Sequence, residues 1–405
     1  MTTSVPALPA PDGRRSRRLI GLDLFRTLAV FGMLVAHVGP ASWSPDGGLG
    51  TVHWEWEVFH SRMPAMFAFA AGISLNLSSR RLESPGREAA GMVVRAVLLL
   101  GCGLLLLSLR TPVVVILGAF AVFFVLVIPF LRLRTGPLLW VAGTWAIIGP
   151  PLSLFLRASA PDVRNMLWDL LVSGDYPALT WMPFVLAGVA IGRLDLTGPA
   201  VRRRLALVGA ALATLAYGGS ALVMQFGART AIIATLPRQD PAEYAQRYFA
   251  ERGVTDSGSW WWLASDAPHS GSWGDVLGAL GTCLLLLAVL LTVGDWATRS
   301  DRTPAGRLRA RLAGWLAAPG SMVLSVYALH IVGMWVVTAV TGHSFAPAQP
   351  LWILAVFTVG LGVFAVVWSR YQRQGPLERL LSRVSRSLLP GGRTGTRSTR
   401  GSSRR

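Results

Sequence analysis

Ten apolar stretches in succession constrain this 405-residue chain more than any other feature; they lie at roughly 19 to 38, 58 to 77, 91 to 108, 112 to 131, 137 to 155, 178 to 192, 205 to 225, 276 to 293, 317 to 340 and 351 to 369. A bilayer core about 30 Å thick takes a helix of roughly 20 apolar residues, so such stretches read as crossings. Only 14% of the residues are charged and the mean hydropathy is +0.49, too apolar for a soluble domain. The expected fold is therefore all-α, a polytopic integral membrane protein of about ten transmembrane helices.

Charge orients that bundle. All 38 basic residues are arginine, and positive residues collect in cytoplasmic loops. With the N-terminus inside, the inner connections hold Arg14, Arg15, Arg80, Arg81, Arg132, Arg134, Arg202 to Arg204, the cluster at 299 to 311 and the whole C-terminal tail. The outer ones hold only seven: Arg110, Arg157, Arg164, Arg229, Arg238, Arg247 and Arg252. A missed or extra crossing would scramble the alternation, so both termini are expected in the cytoplasm. No cleavage site follows the first apolar run, which reads as a retained helix. The expected division is a basic N-terminal tail at 1 to 18, a membrane domain at 19 to 373 with a large outer loop at 226 to 275, and a basic tail at 374 to 405.

The net charge of +18 does not imply nucleic acid, because the arginines fall between apolar spans rather than on a soluble basic face. Cys102 and Cys283 lie in apolar stretches as small hydrophobes. No HExxH or paired Cys/His spacing suggests a metal, and a chain without lysine has no Walker-type phosphate loop. In the tail, Leu377, Leu380, Leu381, Val384 and Leu388 share one helical face beside Arg379, Arg383 and Arg386. That pattern suits an interfacial helix on anionic lipid, or a solvated tail.

Ionisable groups in apolar spans are costly and carry functional readings. Asp23 and Arg26 stand one turn apart at the inner end of the first helix, and His37 lies roughly 16 Å beyond Arg26 towards the outer surface, at about 1.5 Å per residue. His53 and His60 flank the start of the second helix, His269 precedes the eighth, His330 is expected near mid-membrane and His343 in the last outer loop. Histidines gathered on the outer side suit activation of a hydroxyl or amine, or simple hydrogen bonding to loops and water. Trp260, Trp261 and Trp262 in the large outer loop suit either stacking on a sugar ring or anchoring at the interface.

The segment LDLFRTLAVFGMLVAHVGP, Leu22 to Pro40, resembles the first-helix signature of the transmembrane acyltransferase superfamily, which includes heparan-alpha-glucosaminide N-acetyltransferase. FHSRMPAMFAFAAGISLNL from Phe59 is similar to the next helix of its bacterial relatives. DYPALTWMPFVLAGVAIGRLDL from Asp175, PHSGSWGDVLGALG from Pro268 and GSMVLSVYALHIVGMW from Gly320 resemble a related group of bacterial membrane proteins of unknown function. The chain departs from the commoner pattern at Thr27, where the family has Gly, and at His60 and Ser61, where Gly-Arg is frequent.

The resemblance implies acyl transfer across a bacterial plasma membrane, from cytoplasmic acetyl-CoA or another acyl-CoA to an extracytoplasmic glycan or small acceptor. It implies a catalytic histidine on the outer side, for which His37 and His53 are the positions that fit; His269, from its place in the long loop, is a third candidate, and the motifs suggest no metal. Arg26, Arg80 and Arg81 would serve the CoA phosphates, because arginine presents a planar fork of donors, with Asp23 beside Arg26 counted in the same cofactor site. Arg62, Trp54 and Trp261 are candidates for the acceptor. The competing reading is a multi-pass transporter or a lipid or glycan flippase; a structural subunit is a third. Membrane lipids are the expected surroundings, and self-association is left open.

Overall fold

The computed structural model describes residues 19–46, 48–60, 62–79, 85–251, 253–299, 303–345 and 348–388. They form a helical bundle: α1 Ile20–Val38, α2 Trp54–His60, α3 Arg62–Ser79, α4 Pro85–Leu107, α5 Leu117–Leu126, α6 Thr135–Ser159, α7 Ala178–Ile191, α8 Pro199–Val223, α9 Trp273–Thr298, α10 Pro304–Leu316, α11 Val323–Thr341, α12 Leu351–Tyr371 and α13 Pro376–Leu388. Shorter helical turns complete the outer loop. Among the described residues the only strand pairing is a two-residue antiparallel ladder, Trp43–Ser44 on Thr51–Val52. Seven of the described helices are long and apolar enough to cross a membrane, so the chain is a multi-pass membrane protein.

Helix occurs at all ten apolar stretches, with two instructive departures. The fourth was expected from 112, yet α5 begins only at Leu117 and the chain from Ser108 to Ile116 is non-helical. Arg110 has a positive φ of 52° and Pro112 follows, so the helix cannot propagate through this segment. The ninth was expected from 317, yet α11 starts at Val323 behind a turn at Pro319–Ser321. There Gly320 lies against α1: a Cβ on it would stand 1.8 Å from the Asp23 carbonyl oxygen, and its N–H donates to Thr27 Oγ1 at 2.9 Å. Thr27, where the family pattern has glycine, therefore supplies a hydrogen bond while the close approach is made from the opposite side. The amphipathic α10 lies in what sequence treated as a connection.

The core surrounds α7, whose residues are buried at every position except Leu179. At 14 residues it is shorter than a full crossing, and it is enclosed mainly by α3 and α6. Gly72 of α3 and Gly188 of α7 bring two backbones into contact: a Cβ on Gly188 would stand 2.1 Å from Phe69 O, and one on Gly72 2.2 Å from Val185 O. Small residues permit such contact, and helices in lipid associate largely through it. The obstructing atoms are backbone and cannot rotate away, so Gly188→Val is expected to destabilise the purified protein by at least about 2 kcal/mol. An unchanged thermal midpoint in detergent would refute this packing.

Candidate functional site

Two chambers lie back to back along the bundle. The one beneath the outer loop holds about 290 Å³ and is lined by His37, His60, His269, Asp175, Tyr176 and apolar residues of α1 and α3. The last turn of α1 delivers His37, the end of α2 delivers His60, and the turn before α9 delivers His269, whose φ is 61°. The His37 ring faces His330 of α11, with Nδ1 to Nε2 at 3.0 Å and the ring planes within 9° of parallel. One of these two nitrogens carries the shared proton. The His330 ring is fully buried and the Val326 and Tyr327 carbonyls of its own helix lie beside it. With His37 Nδ1–H as donor and His330 Nε2 as acceptor, the lone pair of the His37 ring lies on its other nitrogen, Nε2.

His60 Nδ1 meets the Trp56 carbonyl at 3.0 Å. His269 Nε2 lies 3.3 Å from the His60 carbonyl, with its ring against Tyr176 and Trp181. His53 is elsewhere: its Nε2 lies 3.0 Å from Ser44 Oγ beside the small ladder, and it does not line the chamber. Arg62 also stands apart, its Nε donating to Tyr217 OH at 3.1 Å and its guanidinium lying 4.7 Å above that ring, with Glu57 and Asp266 nearby.

The outer loop folds on a core of its own, formed by Met224, Ile232, Tyr244, Tyr248, Trp262 and neighbours. This divides the tryptophan run: Trp262 is buried on Tyr244, whereas Trp260 and Trp261 are exposed, as is Trp54. Burial pushes the Tyr244 hydroxyl up to about 12, and burial followed by the Asp266 carboxylate holds Tyr248 well above the usual tyrosine range. Both phenols stay protonated near neutral pH, and Tyr248 donates to Asp266.

The second chamber, about 460 Å³, opens at the arginine-rich end and includes Arg26, Ser74, Arg95, Ser321, Glu378 and Ser382 among largely apolar walls. Arg26 is held from both sides, with Nη1 on Asp23 Oδ1 at 3.1 Å and Nη2 donating to Ser74 Oγ at 2.7 Å. Asp23 positions Arg26 without lining the chamber. Arg80 and Arg81 lie outside the described residues. The two chambers have Phe67, Ile116 and Tyr327 in common, and Tyr327 OH accepts the Ile116 N–H at 3.2 Å.

The C-terminal helix α13 closes part of this inner chamber. Leu377 and Leu381 pack on the bundle core while Leu380 and Leu388 remain exposed, so the amphipathic face docks on protein as well as outward. Glu378 accepts the Leu324 N–H at 2.7 Å, the Ser325 N–H at 3.2 Å and the Ser325 hydroxyl, capping the start of α11. Residue Met322 at that end has no side-chain cap of its own, so a carboxylate from another helix satisfies the free donors and the positive end of the helix dipole. Sequence reasoning missed His330, Tyr327, Arg95 and Glu378 as site residues. The i,i+3 spacing of Tyr327 and His330 on an apolar helix was the available signal. Replacing Glu378 by Gln removes charge-assisted bonds worth about 1.5–3 kcal/mol. Amide exchange over 376–388 is expected to speed up about tenfold or more; unaltered exchange would show that the carboxylate does not hold the helix.

Residues 18–225 match a family described as heparan-alpha-glucosaminide N-acetyltransferase, catalytic, and residues 256–387 match a protein family of unknown function, DUF418. No curated protein matches the chain significantly.

Proposed function

The chain belongs to the heparan-alpha-glucosaminide N-acetyltransferase catalytic family, which covers slightly more than half of it, and on that premise we propose a membrane-bound acyltransferase. It moves an acetyl or other acyl group from cytoplasmic acyl-CoA to an extracytoplasmic sugar or similar acceptor, in the bacterial plasma membrane. The observation that carries this reading is the pair of chambers meeting at Phe67, Ile116 and Tyr327, with arginines on one side and the His37–His330 pair on the other.

In this scheme Arg26 and Arg95 attract the phosphates of CoA at the inner chamber, and the thioester reaches inward to the septum. The acceptor amine or hydroxyl enters the outer chamber and attacks the thioester carbonyl. His37 Nε2 takes the acceptor proton, a C–N or C–O bond forms and the C–S bond breaks. The departing CoA thiolate then receives that proton from His37. His330 holds the imidazole in the tautomer this requires. Exposed Trp261, Trp260 and Trp54 offer apolar faces to an approaching sugar.

Single-turnover acyl transfer separates the histidines. His37→Ala is expected to bind acyl-CoA normally and to transfer at least about 100-fold more slowly, the usual loss for a general base. His53→Ala is expected to remain within about threefold of the unaltered protein, because a residue outside the chamber forfeits none of that general-base contribution. His269→Ala is expected to weaken acceptor use more than acyl-CoA binding. Full activity in His37→Ala at matched thermal stability would eliminate His37 as the base.

Opposed chambers with a thin septum also suit alternating access, so a transporter or flippase is the competing reading. Saturable uptake without CoA binding would favour it. Either reading uses ten crossings with both termini inside. A reporter fused after Gln374 is accordingly expected in the cytoplasm and one inserted at Gly253 outside; the reverse labelling at either position would defeat this topology.

A further inference from the structure

We infer that the septum of Phe67, Ile116 and Tyr327 sets the length of the acyl group that can be transferred, admitting acetyl or propionyl and rejecting longer chains; this rests on the acyl-CoA reading above. Ile116 and Tyr327 are 6% and 5% exposed, and these two residues and Phe67 each face both chambers. The Tyr327 ring is fixed at both ends. Its hydroxyl accepts the Ile116 N–H, and its ring meets that of His330 in a T-shaped contact at 5.2 Å between centroids.

The imidazole pair therefore stands immediately beyond the septum. A thioester carbonyl close enough to serve an acceptor polarised by His37 lies between these three side chains, and whatever is attached to that carbonyl projects into the outer chamber. That chamber is the smaller of the two, about 290 Å³ against about 460 Å³, and the acceptor must share it. A longer chain has an alternative: Leu99, Phe120 and Phe124 line the inner chamber, where a flexible hydrocarbon is buried favourably but leaves its carbonyl short of His37. Long acyl donors thus bind without reacting. The signature is a loss in turnover with affinity retained, which distinguishes a septum from a pocket that simply excludes the donor.

The test uses purified full-length protein in lipid nanodiscs with acetyl-, butyryl- and hexanoyl-CoA. CoA thiol release is measured with glucosamine, and with water as the default acceptor, while donor affinity is measured separately by competition. The unaltered protein is expected to turn over hexanoyl-CoA at least about 100-fold more slowly than acetyl-CoA, a selectivity that apolar pockets reach, with affinities within about tenfold. Tyr327→Ala and Phe67→Ala are expected to narrow that turnover ratio by about tenfold or more. Tyr327→Phe keeps the ring but removes the acceptor of the Ile116 N–H, and is expected to narrow the ratio less than Tyr327→Ala does. Should Tyr327→Ala fail to fold because the Ile116 amide loses its acceptor, Phe67→Ala and Phe67→Leu test the opening with that bond intact. Equal turnover of hexanoyl- and acetyl-CoA by the unaltered protein, or an unchanged ratio in stable Phe67→Ala protein, would overturn the septum while leaving acyl transfer in place. Absence of binding for every donor would overturn both.

Discussion

A backbone N–H at membrane depth has no water to turn to, and the Ile116 amide finds its acceptor in the hydroxyl of Tyr327. Irregular backbone is tolerated inside a bilayer only where protein buries it or a cavity receives it. The segment from Ser108 to Ile116 meets that condition, entering the bundle unwound with Val113 and Ile116 buried and Val114 facing the outer chamber. Had a full-length helix continued through 112 to 116, Ile116 would have bonded within its own helix and Tyr327 would be a buried phenol without a partner. One hydrogen bond thus ties the break in one helix to the placement of another, and the barrier between the two chambers is built from both.

The first helix joins the chambers along one face. Arg26, Met33 and His37 recur at spacings of seven and four, so they project from the same side of α1, with Arg26 at the inner chamber and Met33 and His37 at the outer. Behind that face, Gly320 and Thr27 clamp the start of α11 against α1. This contact sets the rotation of α11 and so brings His330 to His37. A slip of one turn between the helices, about 5.4 Å, would separate the two imidazoles and move Tyr327 away from Ile116.

Glu378 extends the same dependence to the end of the described chain. Its carboxylate satisfies the first free N–H groups of α11 from a helix more than fifty residues further along. The tail helix is consequently part of the inner chamber wall. Hydrophobic periodicity had identified Leu377 and Leu381 as an apolar face, but periodicity describes a surface and not its partner; lipid and protein are equally apolar to a leucine. The tryptophan run shows the same limit, because three adjacent identical residues differ only in which of them turns under the loop.

Sequence by itself determined the solvent this chain folds in and the character of its parts. Apolar stretches long enough for a bilayer, arginines concentrated in alternate connections, the local Asp23–Arg26 pair and a signature containing His37 are all written within one helix or its flanks, where spacing along the chain maps directly onto spacing in space. Tertiary structure alone decided which of the histidines meet. His37 and His330 are 293 residues apart, and the helices that bear them meet through the backbone close approach of Gly320 to Asp23 and its hydrogen bond to Thr27. His53, sixteen residues from His37, is left outside the chamber because the small ladder at Trp43–Ser44 and Thr51–Val52 turns it towards Ser44. Proximity in sequence carries no such information once the chain leaves a regular helix, since each loop residue adds two soft dihedrals and only packing selects among the results.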